Sequence, residues 1–317
     1  MIINSVGEKF LSKENLNLLS EESGEEILYI PYRDFDKNLD ILAKAEALIS
    51  ISGLKVEDLD KFPKLKWVQS FSAGVNTYPF DELKDRDIIL TNTSGIHAPQ
   101  ITDQIMGVIL SFSRRILESI YNKENKDFNS NYNFEELKDK NLLIIGAGNI
   151  AKLLAKKAKA FDMKITGLKR TVVEMDNFDK VKSINKLHES IKNADYVVNI
   201  LPLTKETYKI IGKDEFNLMK ETAIFVNYGR GASVDEKALV NALKNKKIRG
   251  AALDVFEKEP LPKDSPLWEM DNVIITPHSG GFSRENELRA VNEIKNNIIK
   301  YKNNKKLNNI VDLDLEY

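Results

Sequence analysis

The segment Asn141–Thr171 limits the possible folds more than any other part of the chain. It reads Asn141-Leu-Leu-Ile-Ile-Gly146-Ala-Gly148-Asn-Ile-Ala151, then a stretch of helical periodicity, then Lys164-Ile-Thr-Gly-Leu-Lys-Arg-Thr171. An apolar run of strand length that stops at a glycine suits a strand buried on both faces of a parallel sheet. From Ile150 the apolar residues recur as Leu153, Leu154, Ala158 and Phe161 with lysines between them. That periodicity lays one face of a helix on the sheet. Gly146-x-Gly148-x-x-Ala151 sits at the join. There the first glycine permits a tight turn, the second lets backbone approach a pyrophosphate, and a small third residue lets helix pack on strand. The helix N-terminus adds N–H groups and a positive dipole for the phosphates. Glycine pairs also occur in ordinary strand-to-helix turns, so it is the position of this spacing that points to a dinucleotide site.

A chain of 317 residues has room for about two domains. The net charge of −1 leaves no electrostatic footprint for nucleic acid or an anionic membrane, and neither is expected as a partner. The sequence has no cysteine, which excludes disulfides, thiolate nucleophiles and zinc ribbons, and no metal site is expected. No apolar run approaches the roughly 20 residues needed to span a bilayer. Met1-Ile-Ile-Asn-Ser-Val lacks the basic and apolar regions of a secretory signal, so a cytoplasmic location is expected.

Over the first hundred residues, strands at Met1–Asn4, Ile27–Ile30, Leu48–Ile51, Leu65–Ser70 and Ile88–Thr91 alternate with helical patterns at Leu11–Leu19, Leu39–Ala47 and Val56–Phe62. Such alternation implies a parallel, doubly wound sheet. Two loops stand out against it. Ser70-Phe-Ser-Ala-Gly74-Val-Asn76 is rich in small residues whose N–H groups could face an anion, and Asn92-Thr-Ser-Gly95-Ile-His97-Ala-Pro99 leads into an apolar helix, Gln100–Arg115. Either could equally be an ordinary connector. Asn122–Asn133 reads as an exposed polar connector, after which the nucleotide unit begins at Leu137. Ala194–Pro202, Ala223–Asn227, Arg249–Val255 and Asn272–Thr276 are further strands, Asp235–Leu243 and Ser283–Lys302 helices, and Ile310–Tyr317 a tail. The expected architecture is α/β, with two doubly wound parallel-sheet domains. A Rossmann NAD(P)-binding domain, residues 99–283, is inserted into a flavodoxin-like substrate domain formed by 1–98 and 284–317.

The last three strands end in Tyr228-Gly-Arg230-Gly231, Glu257-Lys-Glu259-Pro260 and Pro277-His278-Ser-Gly-Gly281. Ligands of open α/β sheets sit beyond the carboxyl ends of the strands, so these ends bring an Arg, a Glu and a His toward one place. Arg offers a planar fork that matches a carboxylate and stays charged. His exchanges protons near neutral pH, and a Glu beside it favours the imidazolium and orients the ring. With a nicotinamide nearby, the set suits reduction of a 2-oxo acid. Each residue alone has a structural explanation, and for His188, on an expected exposed helix, the structural reading is preferred.

The motifs Asn199-Ile-Leu-Pro-Leu-Thr-Lys-Glu-Thr207, Val226-Asn-Tyr-Gly-Arg230-Gly-Ala-Ser-Val-Asp-Glu-Lys-Ala-Leu239, Ala251-Ala-Leu-Asp254-Val-Phe-Glu-Lys-Glu259-Pro-Leu-Pro262 and Thr276-Pro-His278 resemble those of the D-isomer-specific 2-hydroxyacid dehydrogenases, in the same order. The resemblance runs along nearly the whole chain. It implies Arg230, Glu259 and His278 as the catalytic set, Asp254 near the nicotinamide carboxamide, and Leu201, Pro202 and Thr207 along the cofactor cleft. Further cofactor contacts are expected from Gly146, Gly148, Asn149, Ile150, Tyr228 and Gly280. Ser72-Ala73-Gly74-Val75 resembles the family's substrate-carboxylate loop, with Ala73, Gly74 and Val75 joining Arg230 and His278 around the substrate. Members usually form homodimers through the nucleotide domain, and a homodimer is expected.

Three departures qualify the resemblance. Ala151 replaces the third glycine, which is tolerated because only a small residue is needed. Asp103 stands where many members carry Glu. Where NAD-binding units place an acid for the ribose hydroxyls, about 20 residues on, this chain has Lys169-Arg170-Thr171. All three can donate to a 2′-phosphate, so NADP(H) is expected to be preferred, with NAD(H) possible; a solvated basic turn is the alternative. The expected activity is hydride transfer between NAD(P)H and a small 2-oxo acid of the glyoxylate or hydroxypyruvate type. Two alternatives remain: a short-type 3-phosphoglycerate dehydrogenase, with Lys55, Lys61, Lys64 and Lys66 as candidate phosphate contacts, and a non-catalytic dinucleotide-sensing binding protein. With no regulatory domain after Tyr317, the long type of phosphoglycerate dehydrogenase is not expected.

Overall fold

Alternate residues of the apolar runs bury themselves on opposite faces of two separate sheets. The structure, a computed structural model, describes residues 1–51 and 53–315; the final two residues of the expected C-terminal tail, 316 and 317, lie outside this range. The chain divides into two units, Met1–Ile96 with Ser283–Tyr317, and His97–Phe282.

In the first unit, β1 (Ile2–Asn4), β2 (Ile27–Tyr29), β3 (Ala47–Ser50), β4 (Trp67–Ser70) and β5 (Ile89–Thr91) form a parallel sheet in the order β2-β1-β3-β4-β5, the flavodoxin-like arrangement. Ile3, Leu48, Val68 and Leu90 face one core while Ile2, Ala47, Ile49 and Trp67 face the other. The first helix, Lys13–Ser23, starts where Ser12 Oγ accepts the Asn15 N–H and stops at Gly24, whose φ of 65° is left-handed; both are standard end signals. The C-terminal helix, Asn286–Lys302, packs on that first helix, and Ile310 bridges Thr91. The chain thus returns to this unit.

In the second unit, β6 (Asn141–Ile145), β7 (Lys164–Lys169), β8 (Lys180–Ser183), β9 (Tyr196–Asn199), β10 (Ile224–Asn227), β11 (Gly250–Leu253) and β12 (Val273–Ile275) run parallel in the order β12-β11-β10-β9-β6-β7-β8. The strand order reverses between β6 and β9, the switch point of a Rossmann sheet. Leu142, Ile144, Tyr196, Val198, Ile224 and Val226 pack on one face, and Leu143, Ile145, Val197 and Phe225 on the other. Both faces are covered, which is why these strands read as unbroken apolar runs.

Local differences from the sequence reading have physical causes. The expected helix Gln100–Arg115 is Ala98–Ser113, because Arg115 turns left-handed at φ 55° and a second helix, Ile116–Glu124, begins. That second helix takes up the start of the expected polar linker. Strand β8, Lys-Val-Lys-Ser, has only one apolar residue and no buried position, so an edge strand of this kind leaves almost no periodic signal.

Candidate active site

The turn after β6 takes its shape from two glycines with different surroundings. Gly146 has φ 104°, and a Cβ there would stand 3.0 Å from the carbonyl carbon and oxygen of Ile200; any side chain would both strain the backbone and push the β6 and β9 ends apart. A Cβ on Gly148 would meet nothing within 4 Å, leaving an open approach to the backbone. Gly148 caps the helix Asn149–Lys159 without a side-chain hydrogen bond, so the helix N-terminus faces that opening. Ala151 is fully buried between helix and sheet, and Ile150 packs beside it. An open backbone cradle at a helix N-terminus fits the pyrophosphate of a dinucleotide.

Beyond the end of β7 lies a hollow of about 520 Å³ lined by Lys152 and Lys156 of that helix, by Lys169, and by Glu174 and Asp176 of the following loop. The three lysines form no ion pair among the described residues. Arg170 is engaged instead, with Nη2 2.7 Å from Glu206 Oε2, and Thr171 follows on an exposed turn.

At the neighbouring strand ends the structure assembles Arg230, Glu259 and His278. Nδ1 of His278 lies 2.6 Å from Glu259 Oε2, and Glu259 Oε1 accepts the Phe256 N–H at 3.0 Å. The glutamate is therefore fixed by backbone on one oxygen and meets the ring with the other. Arg230 is half-buried beside them and donates Nη1 to Gly229 O at 2.9 Å. Burial pulls its guanidinium below the usual arginine range, with the Glu259 carboxylate opposing. This arrangement brings an imidazole, a carboxylate and a guanidinium together at neighbouring strand ends.

Several supporting residues leave no mark in the periodicity. Asn199 and Asn227, buried at the ends of β9 and β10, are joined by a 3.0 Å bond, and Asn199 Nδ2 also donates to Ser233 Oγ at 2.8 Å. Their Oδ1 atoms accept from Leu201 N and Gly229 N, which shapes the loops carrying Leu201, Pro202 and Arg230. Thr207 Oγ1 donates to Pro202 O at 2.7 Å, closing that turn on itself. The Tyr228 ring is buried, and burial pushes its phenol above the usual range. Asp254, 3% exposed, receives donors from Thr276, Ser279 and Gly280.

The remaining candidates sit elsewhere. In the first unit, Gly74 N donates to Ser72 Oγ at 3.3 Å, Ala73 O accepts from Asn92 Nδ2 at 3.0 Å, and Val75 is buried in the core. Lys61 is paired with Asp36 at 2.8 Å and Asp58 at 3.2 Å. In the second unit, His97 Nδ1 meets Gly281 O at 3.1 Å, His188 pairs with Glu215 at 2.6 Å, and Asp103 pairs with Lys157 at 2.6 Å. No helix of the described residues is long and apolar enough to cross a membrane. Among those residues, no group of three or more His, Asp or Glu could hold a metal ion.

Comparison with known proteins adds independent findings. Residues 106–280 match the model of the family described as D-isomer specific 2-hydroxyacid dehydrogenase, NAD binding domain. The chain is 37% identical over 279 residues to glyoxylate/hydroxypyruvate reductase B of Enterobacter sp. (strain 638), covering 83% of this chain and 86% of the relative. It is 36% identical over 282 residues to D-3-phosphoglycerate dehydrogenase of Methanocaldococcus jannaschii, covering 87% of this chain but 53% of that one. The chain thus spans about half the length of the latter relative. The solved structure of a D-isomer specific 2-hydroxyacid dehydrogenase family protein from Aeromonas salmonicida superposes with a TM-score of 0.81 at 31% identity, covering 99% of both chains.

Proposed function

The chain belongs to the D-isomer-specific 2-hydroxyacid dehydrogenase family, and from that premise we propose that it reduces small 2-oxo acids of the glyoxylate or hydroxypyruvate type, with NADPH preferred over NADH. The observation that carries this reading is the His278–Glu259 pair at 2.6 Å with Arg230 beside it. Reduced nicotinamide, when bound, supplies the hydride that reaches the carbonyl carbon. Glu259, held by the Phe256 amide, takes the Nδ1 side of the ring and leaves Nε2 to give its proton to the carbonyl oxygen. Arg230 binds the substrate carboxylate and polarises the carbonyl through its fixed fork of donors. Desolvation of Arg230 strengthens its hold on an incoming anion, since little water competes.

Gly146, Gly148, Asn149 and Ile150 form the pyrophosphate turn, and Leu201, Pro202, Thr207, Tyr228 and Gly280 contribute to the rest of the dinucleotide site. The preference for NADPH is supported by Lys169, which stands where an acid would repel a 2′-phosphate, and by the company of Lys152 and Lys156 around the same hollow. With Arg170 turned to Glu206, the lysines are the cations best placed for that phosphate.

A second reading, oxidation of 3-phosphoglycerate, is favoured by the similarity to the Methanocaldococcus enzyme. It needs added cations for a substrate phosphate, and Lys61 is already committed to two aspartates. Steady-state oxidation of NADPH against a panel of 2-oxo acids tests the first reading. Competitive inhibition by inorganic phosphate, together with turnover of 3-phosphoglycerate, would support the second.

A further inference from the structure

The loop that carries Glu259 is anchored at its first residue by a second glutamate. The N–H of Glu257 donates to Glu236 Oε2 at 3.1 Å, and the Glu257 side chain pairs with Lys209 Nζ at 3.0 Å. Glu236 opens the helix Glu236–Lys244, whose start is capped by Asp235. On another side stands Gly231, where a Cβ would lie 1.8 Å from Phe256 O and 2.5 Å from Glu257 N. A single peptide unit, Phe256–Glu257, is therefore packed on the residue after Arg230 and bonded through its N–H to Glu236. The N–H of the same Phe256 holds Glu259 Oε1 at 3.0 Å, and Glu259 Oε2 meets the His278 ring at 2.6 Å.

The loop needs such an anchor. Residues 257–260 are exposed, so they bury little apolar surface and their place depends on polar bonds. Glu236 itself is half-buried. Burial pushes its carboxyl above the ordinary range, the Glu257 N–H opposes this, and the Glu257 carboxylate adds to the rise. A carboxylate drawn out of water is costly unless it is hydrogen-bonded, and the Glu257 amide supplies that bond.

We propose that Glu236 is a positioning residue for proton transfer: its carboxylate holds the Phe256–Glu257 peptide against Gly231 and so keeps Glu259 aimed at the His278 ring. The proposal rests on the reading of His278 as the proton donor and of Glu259 as the group that orients it.

In Glu236→Ala the dissociation constant for NADPH, measured by fluorescence titration, should stay near the wild-type value. At saturating cofactor, kcat should fall by about 10–100-fold, the upper value being the loss for a reacting group displaced by about 1 Å. Glu236→Gln should recover most of this, because its amide oxygen can still accept the Glu257 N–H. In a Glu259→Ala background, Glu236→Ala should add little further loss, since its effect runs through Glu259. With three histidines in the chain, the His278 ring resonances can be assigned by their loss in His278→Ala. They should shift or broaden in Glu236→Ala and return toward wild type in Glu236→Gln. Glu236→Met, which fills similar space without an oxygen acceptor, carries the same tests if the alanine variant does not fold. Wild-type kcat without the acceptor, no recovery in Glu236→Gln, unmoved ring resonances, or losses that simply add with Glu259→Ala would each overturn the proposal. If wild type turns over no 2-oxo acid, the functional reading fails separately, and the ring resonances still decide whether Glu236 sets the surroundings of His278.

Discussion

Nδ1 of His278 and Oε2 of Glu259 lie 2.6 Å apart, and the other oxygen of the same carboxylate is held by the Phe256 N–H. The glutamate is thus fixed before the ring meets it, so the imidazole is directed rather than merely accompanied. His278→Ala should lower kcat by roughly 10²–10⁴-fold, the usual contribution of a positioned acid or base. Glu259→Gln should lower kcat less, because the amide can still contact the ring. Steady-state kinetics on the two variants checks this; equal losses would show that Glu259 does more than orient.

Arg230 lies half-buried beside that pair, where a carboxylate partner would be worth more than in open water. Arg230→Ala should raise KM for the 2-oxo acid by about 10–100-fold, the equivalent of one lost charge-assisted hydrogen bond, and lower kcat as well. Arg230→Lys should recover only part of this, because an ammonium lacks the planar fork. Full recovery by lysine would point to simple charge attraction.

The hollow at Lys169, with Lys152 and Lys156 around it, carries the cofactor prediction. Lys169→Asp should move the ratio of kcat/KM for NADPH over NADH toward NADH by at least about tenfold, since it exchanges a cation for a charge that repels the 2′-phosphate and accepts from ribose hydroxyls. Parallel titrations with the two cofactors measure it, and an unchanged ratio would remove Lys169 from recognition.

The base of the Rossmann sheet sets an acid limit on stability. Burial pushes the Asp195 carboxyl up, but the Asn141 N–H and the Lys220 ammonium at 2.7 Å outweigh it and hold the group below its ordinary range. A carboxyl depressed in the folded state stabilises the fold above its unfolded value, near pH 4. That stability is lost as pH falls through the lower folded value. Asp195→Asn should lower stability at neutral pH by about 1 kcal/mol and flatten its dependence on pH below about 4. Chemical denaturation from pH 7 down to 3 is the measurement; an unaltered slope would mean other carboxylates govern the acid limit.

The sequence shows the seven-stranded sheet because Leu142–Ile145, Tyr196–Asn199 and Ile224–Asn227 are buried on both faces and so read as continuous apolar runs. It shows the approximate places of Arg230, Glu259 and His278 because each follows such a run. Other features depend on partners far along the chain. Asn199 meets Asn227 and Ser233 across 28 and 34 residues, and Arg170 meets Glu206 across 36. Lys152 and Lys156 have the spacing of an ordinary solvated helix face, and only the folded loop 173–177 makes them walls of a hollow. Strand β8 stays hidden because its register on β7, not its own composition, makes it a strand.

The most direct test of the account is the rate of reduced-cofactor oxidation by the purified chain with glyoxylate and hydroxypyruvate, run in parallel with NADPH and NADH. We predict turnover of at least one of these acids, with higher kcat/KM for NADPH, and its near-complete loss in His278→Ala. No turnover with any small 2-oxo acid under either cofactor would contradict the account.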